Sequence, residues 1–212
     1  MPRTIAIGDI HGCSNALASI LLAIDPQPDD TIITLGDYVN RGMDSKGVLD
    51  LLIELSKRCR LIPILGNHDE MMLKANGSRS AFRHWMEFGG IETLDSYGDS
   101  GHISLVPRQH FEFLESCVPW FETETHFFTH GNYDPDLPLD QQEDRTLRWL
   151  SLRDFVPGPH LSGKIAVVGH TPQTEVLNLG HLICLDTGCV LGGKLTAMEM
   201  GSGEVWEAGT MQ

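Results

Sequence analysis

The chain has 212 residues, 41% of them hydrophobic, with 29 acidic against 15 basic side chains and a formal net charge of −14. A chain of this length can bury roughly 70% of its unfolded surface, so it needs no disulfide or metal staple to fold, and its apolar content excludes a disordered chain. The acidic balance argues against a nucleic-acid module or a polybasic membrane module, because such a surface repels phosphate backbones and anionic lipid.

In chain order, residues 3–8 read as a short buried strand. Residues 14–25 follow, with Ala16, Leu17, Ile20, Leu21 and Ile24 at helical spacing and Pro26 just beyond. Residues 31–36 are β-branched and apolar, a second strand. Val48, Leu51, Leu52 and Leu55 mark a second helix, and residues 60–65 a third strand, in which Pro63 speaks against a central position. This β-α-β-α-β opening is the pattern of a parallel α/β sheet. The middle is more helical, with helices expected over 67–76, 79–88 and 107–117 and breaks at Gly89-Gly90 and at 98–101. Strands are expected near 124–129, 164–169, 181–186, 194–200 and 203–208, the last two joined at Gly201-Ser202-Gly203, and residues 131–145 read as a polar, proline-rich loop. No repeat or linker divides the chain, so we expect one domain over 1–212.

The five cysteines, Cys13, Cys59, Cys117, Cys184 and Cys189, are odd in number and never spaced CxxC. They fit buried small hydrophobes in a reducing compartment, not a disulfide framework or zinc ribbon. Gly8-Asp9 interrupts the apolar N-terminal stretch, and the most apolar segment, 16–24, is far short of the ~20 residues that span a bilayer. A soluble, cytoplasmic protein is the expectation.

The informative residues follow the strands. The first strand ends in Gly8-Asp9-Ile10-His11-Gly12, the second in Gly36-Asp37-Tyr38-Val39-Asn40-Arg41-Gly42, and the third in Gly66-Asn67-His68-Asp69-Glu70. Later strands end in Thr129-His130-Gly131, Gly169-His170-Thr171 and Asp186-Thr187-Gly188. Ligands of α/β sheets bind at the carboxyl ends of strands, so the first three loops should converge on one edge. Oxygen and imidazole donors without a thiolate suit Mn²⁺, Fe or Zn²⁺. Asp9 and His11, two apart, face the same way in extended backbone, and a carboxylate such as Asp37 can bridge two cations. Taken singly, each element has an ordinary reading. Asn67 is a good helix cap, Asp186-Thr187-Gly188 could be a turn, and a lone His130 or His170 could be a hydrogen-bonded structural residue. Their joint occurrence, in order and each after an expected strand, singles them out.

As a set these motifs resemble the phosphoprotein phosphatase (PPP) family of calcineurin-like metallophosphoesterases. The short length and the segment Gly89-Gly90-Ile91-Glu92-Thr93-Leu94 are similar to its small bacterial and phage-type members. The resemblance implies a central β-sandwich of mixed sheets flanked by helices. It implies two divalent metal ions, Mn²⁺ foremost and Fe or Zn²⁺ as alternatives, one on Asp9, His11 and bridging Asp37, the other on Asp37, Asn67, His130 and His170. A bridging hydroxide would attack phosphorus in line, Arg41 would grip the phosphate, and His68 would protonate the leaving oxygen as general acid. Arg153, in Leu152-Arg153-Asp154, is similar to the family's second phosphate-binding arginine, with Arg145 and Arg148 as competitors.

One position departs from the family. Its motif usually reads GDxVDRG, and here the second acid is Asn40. By resemblance that residue pairs with His68. An amide accepts from a ring N–H without supplying charge, so a weaker general acid with a lowered pKa is expected. The expected substrate is a phosphorylated protein or small phosphoester, and the expected state a monomer. A serine/threonine-type protein phosphatase is the first reading and a symmetrical diadenosine tetraphosphate hydrolase the second. An inactive metal-binding scaffold and a metal-independent nucleotide-binding domain are readings from other classes. Specificity should lie in 77–105 and 131–160, where Trp85, Phe88, Tyr97, Tyr133 and Trp149 could stack a base or pack a peptide. Core packing is the plainer role for Trp85 and Trp149.

Overall fold

The computed structural model describes residues 2–99 and 101–209. Its opening is the expected one. Strands β1 (Thr4–Ile7), β2 (Thr31–Thr34) and β3 (Arg60–Pro63) pair in parallel, Thr4 opposite Thr31 and Thr31 opposite Arg60. Helix α1 (Ser14–Ile24) joins the first two and buries Ala16, Leu17, Ile20 and Ile24, the i, i+4 stripe that the sequence displays. Each such leucine or isoleucine contributes about 1.5–3 kcal/mol on burial. Helix α1 stops where Asp25 takes φ +46 and its N–H returns to the Leu21 carbonyl. Helix α2 (Ser45–Leu55) begins on Asp44, whose side chain accepts from Gly47 N at 2.9 Å.

Pro63 proves to sit on an edge. The first sheet runs β10-β9-β1-β2-β3, with β9 (Lys194–Glu199) and β10 (Val205–Gly209) forming an antiparallel hairpin. Val118 covers the free edge of β3 at this point, donating to the Pro63 carbonyl at 2.9 Å, so no ladder bond needs the missing N–H.

The second sheet contains β4 (Trp120–Glu122), β5 (His126–Thr129), β6 (Ile165–Val168), β7 (Leu177–Asn178) and β8 (Leu182–Cys184), in the order β4-β5-β6-β8-β7. Strands β5, β6 and β8 are parallel, and the edges β4 and β7 antiparallel. The two mixed sheets close on a shared apolar layer: Ala6, Ile33, Leu35 and Ile64 from the first, Phe128, Val167, Ile183 and Leu185 from the second. Helices cover the outer face of the first sheet, so the expected sandwich of mixed sheets is what the chain forms.

In the chain, α3 (Asn67–Gly77), α4 (Arg79–Trp85), a kink at Met86–Gly90, α5 (Ile91–Asp95) and α6 (Arg108–Glu115) lie between β3 and β4, and α7 (Asp144–Trp149) lies between β5 and β6. The helix expected over 79–88 ends at Trp85, because Phe88 leaves helical geometry and Gly89 takes φ +96. All five cysteines are free, four of them buried. Among the described residues no helix is long and apolar enough to cross a membrane.

Candidate metal centre

The carboxyl ends of β1, β2, β5 and β6 and the start of α3 meet at one place. The backbone there is strained. Among the described residues six non-glycine residues have positive φ, and five of them belong to these loops: His11, Asp37, Asn40, Arg41 and His170. Each such conformation costs about 1–3 kcal/mol and persists only where its surroundings over-determine it. Here the surroundings are hydrogen bonds between loops. Asp69 accepts from Asp37 N at 2.8 Å, Tyr38 N at 3.0 Å and Gly66 N at 3.0 Å, tying the second loop to the third. His11 N donates to the Asp37 carbonyl at 2.7 Å, tying the first to the second. Close approach demands glycine at two points: a Cβ on Gly66 would collide with Asp37, and one on Gly169 with the Asp9 carboxylate.

The side chains of the six expected ligands converge. His11 Nδ1 pairs with the Val39 carbonyl at 2.9 Å and His130 Nδ1 with the Leu35 carbonyl at 2.7 Å. With both Nδ1 atoms donating, both Nε2 lone pairs turn inward. His11 Nε2 lies 3.3 Å from Asp37 Oδ2, and His130 Nε2 3.4 Å from Asp37 Oδ1. Asn67 Oδ1 is 3.0 Å from His130 Nε2 and 3.1 Å from His170 Nδ1. The candidate donor atoms of His11, Asp37 and His68 lie within 4.8 Å of one another, as do those of Asp37, His130 and His170. Asp37 belongs to both groups. Asp9 joins through the backbone, its two oxygens accepting from His170 N at 3.1 and 3.0 Å.

Lone pairs facing lone pairs fit a cation. In a neutral His130 whose Nδ1 carries the proton, Nε2 and the facing Asn67 oxygen are both acceptors, and a cation between them, or a proton on Nε2, satisfies both. The protonation equilibria carry the same imprint. Burial would raise Asp37, but His130, His68 and His11 outweigh it and hold the carboxyl well below its usual range. Burial would lower His130, but Asp37 and Asp9 push it up to about 10. Asp9 is raised well above its usual range by burial and by Asp186 nearby. Burial brings His68 down to about 3 and, with His130, His170 down to about 4.

The structure corrects the partnership expected of Asn40. Its side chain does not reach His68. Asn40 Oδ1 accepts from Trp85 Nε1 at 2.9 Å and Nδ2 donates to the Phe88 carbonyl at 2.9 Å. His68 Nδ1 is buried without a hydrogen-bond partner, and the ring stands edge-on to His11, centroids 4.8 Å apart. The lowering of His68 therefore comes from burial, not from the charge missing at position 40. Arg41 reaches the cluster, its Nη1 3.0 Å from His11 Nε2. Arg153 is exposed, but its loop is tied to the residue after His170: Leu152 N donates to Thr171 Oγ1 at 3.0 Å. Of its competitors, Arg148 is buried and engaged by Glu70 at 3.1 Å and Asp144 at 2.7 Å, whereas Arg145 is exposed. Trp85 and Tyr133 are fully buried, whereas Trp149 is 37% exposed, not a core residue, with its indole N–H on Glu70 at 2.9 Å.

Two acids that stand inside the quoted motifs were given no role by sequence reasoning. Asp69 has a signal that could have found it, a carboxylate three residues after the Gly66 that precedes a helix, the spacing at which an acid reaches back to the chain. Asp186 is buried beside Asp9 and caps its own turn through Gly188 N at 3.0 Å.

A profile for the Calcineurin-like phosphoesterase family matches residues 2–178, and the chain belongs to that family, a hydrolase of metallophosphoesterase type. Serine/threonine-protein phosphatase 1 of Salmonella typhimurium is 30% identical over 201 residues, 90% of this chain and 88% of the relative. A symmetrical bis(5'-nucleosyl)-tetraphosphatase of an Acidovorax species is 43% identical over 259 aligned positions, covering 92% of this chain and 91% of the relative. A crystal structure of a putative diadenosine tetraphosphatase superposes with a TM-score of 0.75 at 25% identity, covering 98% of this chain and 95% of that one.

Proposed function

We propose that this centre hydrolyses a phosphoric monoester with two divalent cations, Mn²⁺ foremost, one on Asp9, His11 and Asp37 and one on Asp37, Asn67, His130 and His170. The observation that carries the reading is the place of Asp37 in both donor groups. When bound, such ions supply Lewis-acid charge and acidify water at neutral pH. The side chains supply the rest. Arg41 presents a planar fork able to follow phosphate oxygens as negative charge builds on them. His68, neutral near pH 7, lines the place where the ester leaves and offers an N–H instead of an excess proton. Poor leaving groups should therefore turn over more slowly than aryl phosphates. Arg153, on the loop bound to Thr171, is the second phosphate contact in this reading.

The substrate we favour is a phosphorylated serine or threonine side chain, by similarity to the Salmonella relative. A second reading, symmetrical cleavage of diadenosine tetraphosphate, is favoured by the Acidovorax relative and by a cavity beside the centre. That cavity, about 730 Å³, is lined by exposed Trp149 and Arg145 together with Glu70, Lys74 and Asp154. Its aromatic face, the exposed Arg145 and the Asp154 carboxylate match a base, a phosphate and ribose hydroxyls respectively, while Glu70 is already engaged by Arg148, Trp149 and Lys74. Activity with Mn²⁺ against phosphopeptides, p-nitrophenyl phosphate and diadenosine tetraphosphate, before and after chelation, tests both. Phosphate release from phosphopeptides faster than adenosine diphosphate release from the dinucleotide supports the first, and the reverse order the second. Tight metal uptake with no hydrolysis of any of them would leave a binding scaffold and refute both.

A further inference from the structure

We infer that Asn40 is a positioning residue for Arg41, acting through the kink that follows α4, and that it has no part in orienting His68. The inference rests on the proposed role of Arg41 in gripping phosphate.

Residues 40 and 41 are consecutive non-glycine residues in left-handed conformation, φ +74 and +69. Such a pair does not hold itself. Most of the bonds that hold it come from residues 85–93, with Ser45 Oγ sharing the Asn40 N–H at 3.2 Å. Asn40 Oδ1 takes the Trp85 indole N–H at 2.9 Å, and Asn40 Nδ2 gives to the Phe88 carbonyl at 2.9 Å. Asn40 N donates to Thr93 Oγ1 at 2.9 Å, and Arg41 N to the Gly89 carbonyl at 3.3 Å. The kink between α4 and α5 makes this possible. With Phe88 at φ −109 and Gly89 at φ +96, the two carbonyls leave the helical ladder and turn toward 40–41. The fit is tight, since a Cβ on Gly89 would collide with Arg41 N and one on Gly90 would meet the Trp85 ring at 2.8 Å. Asn40 and Trp85 are both completely buried, so neither has water to fall back on. The product of this bracket is the place of the Arg41 guanidinium, 3.0 Å from His11.

This explains why the side chain here is an amide. Asparagine gives and accepts at once, and the site uses both functions. A carboxylate would keep the bond to Trp85 but set an oxygen against the Phe88 carbonyl. Its charge would have no cation among the contacts that the Asn40 amide makes. His68 Nδ1, unpartnered and buried, does not enter the network at all.

The test compares wild type, Asn40→Asp, Trp85→Phe and Arg41→Ala, and each of the first two variants combined with Arg41→Ala. Calorimetry reads binding of inorganic phosphate to the Mn²⁺-loaded protein and of Mn²⁺ itself. Kinetics on p-nitrophenyl phosphate and on an alkyl phosphate read kcat, KM and the pH profile. We expect Asn40→Asp and Trp85→Phe each to weaken phosphate and raise KM by about tenfold. Affinity for Mn²⁺ should stay within about threefold and the pH profile unshifted, while kcat falls because the Arg41 guanidinium no longer meets the charge that builds on phosphate, and Arg41→Ala should abolish the further effect of either change. Trp85→Phe keeps the ring and deletes only the donor, so it answers the question even if Asn40→Asp does not fold. Effects on phosphate binding that simply add to those of Arg41→Ala overturn the inference, as does a gain in kcat on the alkyl phosphate by Asn40→Asp. A wild-type protein that binds phosphate but hydrolyses neither ester refutes the hydrolase reading alone, because the coupling of Asn40 to Arg41 is read in binding.

Discussion

The β1–β2 pair has a buried aspartate, Asp30, at its amino end and two, Asp9 and Asp37, at its carboxyl end, and the fold treats Asp30 and Asp9 in opposite ways. At the amino ends Arg3 precedes β1 and Asp30 precedes β2. Asp30 accepts from Arg3 Nε at 3.1 Å, Arg3 N at 3.0 Å and Gln27 N at 2.9 Å. Burial would raise its carboxyl, but these partners outweigh it and hold it at about 2. At the carboxyl ends Asp9 is just as buried, yet it faces Asp186 and Asp37 and is driven well up. Both carboxyls are shut off from solvent, and what differs in kind is the balance of charge around them: Asp30 meets Arg3, whereas Asp9 meets Asp186 and Asp37 with only His130 to offset them. A buried acid with its cation built in is a structural tie. A buried cluster whose acids outnumber its cations is destabilising on its own terms, and is intelligible as a seat for charge supplied from outside.

The contrast is broken or sharpened most strongly at Asp37. If one carboxylate serves both cations, Asp37→Asn should lower kcat by on the order of 10³-fold, and chelation of the wild type should remove activity that Mn²⁺ then restores. A variant retaining a tenth of wild-type activity would show that no shared carboxylate is needed. Next comes stability. Mn²⁺ at a hundred times its dissociation constant should add about 2.7 kcal/mol to the unfolding free energy, read from urea midpoints. The same increment should survive in Asp30→Asn and vanish in Asp37→Asn. An increment lost in Asp30→Asn would make the two ends one system.

The same comparison separates what the sequence makes legible from what it hides. The opening β-α-β-α-β could be read because each element carries its own period, β-branched runs in β1 and β2 and the Ala16, Leu17, Ile20 and Ile24 stripe in α1. Pro63 even announced an edge. Trp120–Glu122 and Leu177–Asn178 are too short to show a period, and Asp144–Trp149 is a single six-residue helix at the end of a stretch whose prolines read as loop. The candidate ligands were legible because each stands directly after a strand, where topology alone sends it to the common edge. The partner of Asn40 was not, because Trp85 lies 45 positions away and the contact depends on a kink after α4 that no periodicity signals. Resemblance to the family pointed instead to His68, which the fold places elsewhere. Trp149 misled for a related reason: its apolar ring reads as core, but its indole N–H has a carboxylate at the surface to meet.

The smallest effect discriminates best, because its sign differs between the two ends. At the amino ends the folded carboxyl of Asp30 lies at about 2, below the usual 3.8, so folding favours the ionised form. Its stabilisation is complete above about pH 4 and is lost as pH falls through 2. Asp30→Asn should therefore cost on the order of 2 kcal/mol near neutral pH, a cost that shrinks toward zero near pH 2 in urea titrations. At the carboxyl ends Asp9 is raised, so folding favours the protonated form and ionisation near neutral pH destabilises the chelated protein. Asp9→Asn imitates the protonated form. In chelator it should unfold at higher urea than wild type at pH 7, with the gain disappearing as pH falls below the usual carboxyl range. With Mn²⁺ present the order should invert, because the wild-type carboxylate then has its counter-charge and the amide lacks the charge to answer it. Should Asp9→Asn be the less stable protein in chelator at pH 7, Asp9 would be a structural tie like Asp30, and the centre would have to be built without it.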